Sequence, residues 1–104
     1  MRPIASDLHG TYTNFPELRG EVDVIITGEN WKDWKDIKEI SDGLPVYLNP
    51  GKTELMDIVA HKATVINKLD VVKFYENQRE QVILLKTMCP NARIILVEKG
   101  RLAF

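Results

Sequence analysis

The chain has 104 residues, 44% of them apolar and 28% charged, a make-up that predicts one soluble globular domain with a single core and no room for a second. Its formal charge of -1 supplies no general attraction to nucleic acid or to an anionic membrane. No apolar run approaches the roughly 20 residues of a membrane span, and the opening MRPIAS lacks the apolar stretch of a signal peptide.

Apolar, β-rich runs alternate along the chain with amphipathic stretches, and Gly, Pro and Asn mark the breaks between them. The first strand is expected over 3–7, ending in Asp7, and the connection after it has no clear pattern. Residues 22–27 form the second strand. Over 30–41, "NWKDWKDIKEIS" places Trp31, Trp34, Ile37 and Ile40 three residues apart, which predicts a surface helix docked by that stripe, with the tryptophans as core or interface anchors. A third strand follows over 45–49.

The next helix, over 53–69, is the most informative. Its apolar positions include Leu55, Ile58, Val59, Val65, Ile66 and Leu69, and the step that would complete the stripe falls on Lys62. An ammonium inside an apolar stripe must either snorkel to the edge or meet an anion. A fourth strand is expected over 71–76 and a helix over 78–88, turning Val82, Leu85 and Met88 inward and stopped by "CPNA". The last strand is 93–98. Cys89, at the helix end, is the one cysteine; without a partner for an internal disulfide, it points to a reducing, cytoplasmic setting and a structural role.

Three of the strand runs, "VDVIIT", "PVYLN" and "RIILVE", are nearly continuous apolar segments, as in strands covered on both faces. The order therefore predicts an α/β fold, a three-layer sandwich around a mostly parallel five-stranded sheet. In such sheets ligands bind beyond the carboxyl ends of the strands. Asp7, Thr27-Gly28 and Glu76-Asn77 stand there, and with Lys62 they make a set able to hold a phosphate and a hard divalent cation. Taken singly, an Asp before Gly-Thr also suits a turn, and Thr27 also suits a helix start.

At these residues the chain resembles the haloacid dehalogenase-like phosphohydrolases. "IASDLHGTYTN" is similar to that family's first motif, an apolar strand leading into Asp-x-Asp-Gly-Thr; "VDVIITG" to its phosphate-binding strand end; Lys62 of "HKATVINKL" to its lysine motif; and "KFYENQREQV" to its acidic metal-binding motif. "CPNARIILVEKG" matches the strand that follows. Two positions depart from the pattern. His9 stands where the family has its acid/base aspartate, and Asn77 where a second acid is common; an imidazole can still move a proton, whereas the loss of a carboxylate at 77 weakens cation binding.

The resemblance implies a Rossmann-like core and a phosphatase mechanism. Asp7 would attack a phosphoryl group and form an aspartyl phosphate. Mg²⁺ would be held by Asp7, the backbone carbonyl of His9, Glu76 and Asn77. Thr27, Gly28 and Lys62 would hold the phosphate, and His9 would assist proton transfer. The spacing leaves no room for a cap domain at either of the family's two insertion points. An open site fits a bulky or macromolecular phosphate substrate, or a lid supplied by a second subunit of a homo-oligomer.

Other readings stay open. A non-catalytic domain of the same fold, binding a partner or a phosphorylated ligand, is supported by the changes at His9 and Asn77. "SDLHG" also resembles the opening of metallophosphoesterases, but the later metal-binding residues are missing and only His61 remains as a spare histidine. "VINKLD" matches the guanine-recognition motif of GTPases, yet no Gly-x-x-x-x-Gly-Lys-Ser/Thr loop accompanies it.

Overall fold

The computed structural model describes residues 2–98 and 101–103. Strand β1 (Ile4–Ser6) leads through a single turn at Leu8–Tyr12 and a 3₁₀ turn at Pro16–Leu18 into β2 (Val24–Ile26). A further 3₁₀ turn, Trp31–Asp33, opens helix α1 (Trp34–Ile40), followed by β3 (Val46–Tyr47) and α2 (Leu55–Lys68). The chain ends through β4 (Lys73–Glu76), α3 (Arg79–Met88), β5 (Arg93–Glu98) and β6 (Arg101–Ala103).

The sheet order is β3-β2-β1-β4-β5-β6. Five strands, β1 to β5, run parallel, as expected from their apolar runs, and β6 lies antiparallel to β5. The antiparallel strand was not foreseen: three residues are too few to carry a period-two pattern. Each predicted strand is present, most of them shorter at the ends.

Strand alternation divides the core between the two faces of the sheet. On one face Ala5, Val24, Ile26, Phe74, Ile94 and Leu96 pack with Val59, Ala63, Val65 and Ile66 of α2 and with Val82 and Leu85 of α3. On the other, Ile25, Tyr75, Ile95 and Val97 meet Leu8, Tyr12, Phe15, Leu18 and Ile37. Helices on both faces give the expected three layers. Fully burying each such Ile, Leu or Phe contributes about 1.5–3 kcal/mol, so both layers are needed to hold a sheet of short strands. Cys89 is buried among apolar neighbours, its thiol 3.9 Å from the Ala63 carbonyl, in the structural role expected for it.

The second face corrects one of the two readings of the tryptophans, that of core anchors. Trp31 is 72% exposed and Trp34 42% exposed, and only Ile37 of that stripe is fully buried. The reason is visible in the packing. The first connection, patternless in sequence, supplies Leu8, Tyr12, Phe15 and Leu18 as cover, leaving a seven-residue helix little face to occupy. Met88 is likewise partly exposed, as the last residue of α3. Among the described residues no helix is long and apolar enough to cross a membrane.

Candidate functional site

After β1 the chain moves outward to β2 and β3, then returns past β1 to β4. The reversal falls between β1 and β4, the switch point at which parallel sheets of this kind open a crevice. Register brings two acids together there: Ser6 pairs with Tyr75, so Asp7 and Glu76 each follow at the carboxyl end. The Asp7 amide donates to the Tyr75 carbonyl at 2.9 Å, fixing the first acid to the strand that carries the second.

The backbone then turns sharply. His9 (φ -68, ψ 132) and Gly10 (φ 76, ψ -9) have the dihedrals of a type II turn. Gly10 is required twice, for its positive φ and because an added Cβ would collide with the Asn77 side-chain amide. That close approach seats Asn77 beside Asp7. The Thr11 hydroxyl lies 3.3 Å from Asp7 Oδ2 and 3.1 Å from Asn77 Oδ1.

Lys62 reaches this point from α2. Its side chain is 2% exposed, and its Nζ donates to Asp7 Oδ1 at 3.1 Å, Glu76 Oε1 at 2.7 Å and Gln81 Oε1 at 2.7 Å. Of the two fates open to a lysine in an apolar stripe, the structure shows the meeting with anions. Burial alone would lower its pKa, but the charges of Asp7 and Glu76 outweigh burial and raise it. Glu76 is fully buried, and its pKa is pushed up to about 7, first by burial and then by the Asp7 charge. The single ammonium is held firmly by two carboxylates, whereas burial and the Asp7 charge keep the Glu76 carboxyl raised in spite of its contact with Lys62.

The remaining oxygen of Glu76, Oε2, accepts the amides of Asn77 and Gln78 at 3.1 Å each. Across the site, Thr27 and Gly28 follow β2, and the Thr27 hydroxyl accepts the Glu29 amide at 3.2 Å. Buried Asn49 ties that loop down, donating to the carbonyls of Gly28 at 3.1 Å and Lys52 at 2.9 Å. His9 Nε2 stands 2.9 Å from Glu29 Oε2. The Glu29 carboxyl is raised by burial, against the lowering effect of His9.

These groups surround one cleft of about 300 Å³, whose lining includes Asp7, His9, Thr27, Gly28, Lys62 and Asn77. Six of the residues singled out from sequence thus share one cavity. Glu76 does not line it and stands behind Lys62. Four contributors went unnoticed: Thr11, Glu29, Asp33 and Gln81. Thr11 carried a faint signal, four residues after Asp7 in a turn that folds back. The others are polar residues in loops or on a helix surface, where no periodicity distinguishes them. His61 lies apart, at a second cleft with Asn49 and Asp57, its pKa lowered by burial.

Among the described residues no three His, Cys, Asp or Glu side chains gather in a way that would hold a metal ion. Mg²⁺, however, usually takes one or two protein oxygens together with substrate phosphate and water. Asp7 and Asn77 fit that requirement: their side-chain oxygens converge on one hydroxyl, whose single proton satisfies only one of them. Glu76 does not fit in this arrangement, because both its oxygens are engaged. No family model, no curated protein and no solved structure matches the chain.

Proposed function

We propose that the protein is a Mg²⁺-dependent phosphatase-like hydrolase, acting on a phosphate monoester through an aspartyl phosphate at Asp7. The observation that carries this reading is the pairing of Asp7 with a buried lysine at the switch point, facing Thr27 and Gly28 across one cleft. A carboxylate there is held in place from behind and open only toward the cavity. Its side chain keeps 11% exposure, against 2% for Lys62 and none for Glu76.

In this reading Asp7 attacks phosphorus, the ester P–O bond breaks, and the leaving oxygen takes a proton from the His9 ring. Water then attacks the aspartyl phosphate and gives a proton back to His9, releasing phosphate and restoring the carboxylate. Glu29 orients the imidazole through Nε2. Thr27, the Gly28 backbone and Lys62 hold the phosphoryl oxygens. Asp7 and Asn77 would hold Mg²⁺, which supplies charge neutralisation as the phosphoryl group transfers. The cleft needs such a charge, because the carboxylates of Asp7, Glu29 and Asp33 outnumber its one lysine. A phosphate dianion alone would meet net repulsion.

The substrate class in this reading is a bulky or macromolecular phosphate, and a single buried cysteine suits the reducing cytoplasm. The test is hydrolysis of an aryl phosphate with and without Mg²⁺. Turnover should require the cation and fall at least about a thousandfold in Asp7→Asn, the order expected when a nucleophile is removed. Undiminished turnover in Asp7→Asn would refute the assignment. A folded native protein that binds phosphate without turnover would instead be a phosphate-binding domain.

A further inference from the structure

An ammonium has three protons to donate, and those of Lys62 are directed to Asp7, Glu76 and Gln81. In this state Lys62 has no N–H left for a phosphate. Yet Asp7 Oδ1 lies 3.1 Å from Nζ, so a phosphorus attacked by Asp7 brings its own oxygens into reach of the same nitrogen. One of the three acceptors must then give way.

The three differ in what their release costs. Freeing Glu76 would leave a fully buried carboxylate without its cation, the most costly outcome, and freeing Asp7 would release the contact that holds the attacking carboxylate in place. Gln81 is neutral, only partly buried and itself part of the cleft lining. It sits in the first turn of α3, at the edge of the cleft. We propose that Gln81 is a placeholder on Lys62, displaced by a phosphoryl oxygen of the entering substrate. In the empty site it satisfies the third proton of a buried ammonium; in the occupied site it yields that proton to the ligand. The inference rests on the phosphate-site reading above and adds a residue that sets the site's affinity for phosphate.

The test is calorimetric binding of inorganic phosphate, in Mg²⁺, to the native protein and to Gln81→Ala, Gln81→Asn and Gln81→Glu, with circular dichroism as the folding control. Removing a competing acceptor worth one net hydrogen bond should tighten binding about fivefold in Gln81→Ala. Gln81→Asn, which keeps the amide on a stem one methylene shorter, should behave alike and reads the effect if the alanine variant fails to fold. Gln81→Glu puts a charged competitor in place and should weaken binding by about tenfold or more. Unchanged or weaker phosphate binding in both Gln81→Ala and Gln81→Asn would overturn the placeholder role and leave the phosphate site standing. No phosphate binding by the native protein or by these two variants would overturn the site and the placeholder together.

Discussion

Helices α1 and α2 present the same kind of sequence signal and meet opposite fates. The stripe that opens α1 contains two tryptophans, and the first of them is 72% exposed; the stripe of α2 is interrupted by a lysine, which is 2% exposed. What separates them is the surface waiting beneath each helix. Under α1 the sheet is already covered by side chains from the first connection. Under α2 lie the ends of β1 and β4, where two carboxylates need a cation. Hydrophobicity ranks residues for burial, but the partner surface decides which of them are buried.

The most direct way to break the comparison is to remove the cation. Lys62→Met fills the stripe with an apolar side chain but leaves Asp7 and Glu76 facing one another uncompensated, and it should cost about 3–5 kcal/mol in urea unfolding. A stabilised Lys62→Met would mean that the α2 stripe obeys hydrophobicity after all.

That result bears on how far the sequence could be read. The parallel sheet was legible because its strands are apolar on both faces, and the strand-end residues were legible because the fold class says where to look. Lys62 stood out as the one break in a regular pattern. The cover supplied by Leu8, Tyr12, Phe15 and Leu18 was hidden, since residues in turns follow no period. Gln81 and Glu29 were hidden for a related reason: a polar residue on a helix surface or in a loop looks solvated until the fold places an ion beside it. The engagement of Glu76 by two backbone amides, which removes it from the cation donors in this arrangement, depends on backbone direction and has no sequence signature.

A second effect follows from the burial of Glu76 beside the Asp7 charge. The folded pKa of Glu76, about 7, lies above its ordinary 4.5, so the native protein keeps a proton that the unfolded chain has lost. Stability from this group is therefore greatest below about pH 4.5 and declines by about 3 kcal/mol as pH rises through 7. Urea unfolding with a chelator present, at about pH 5 and about pH 8, should show the decline in the native protein and not in Glu76→Gln. A decline of equal size in the variant would assign it to another group.

Smaller changes sharpen each side. Gly28 lies under α2, where an added Cβ would stand 2.8 Å from Ile58 Cγ2; Gly28→Ala should cost about 1–3 kcal/mol, and trimming Ile58 to Val should recover part of it. On the other side, Trp31→Ser should change stability by less than about 0.5 kcal/mol, because the ring contributes nothing to the core. A large loss there would show that Trp31 is packed in solution.

The central claim is that Asp7 takes the phosphoryl group. Its most direct test is acid quenching of the native protein during turnover of an aryl phosphate with Mg²⁺, followed by mass spectrometry of the peptide that carries Asp7. One added phosphoryl group on Asp7, absent from Asp7→Asn, is the predicted result. Steady turnover with that peptide unmodified at every quench time would contradict it and assign the attack on phosphorus to water.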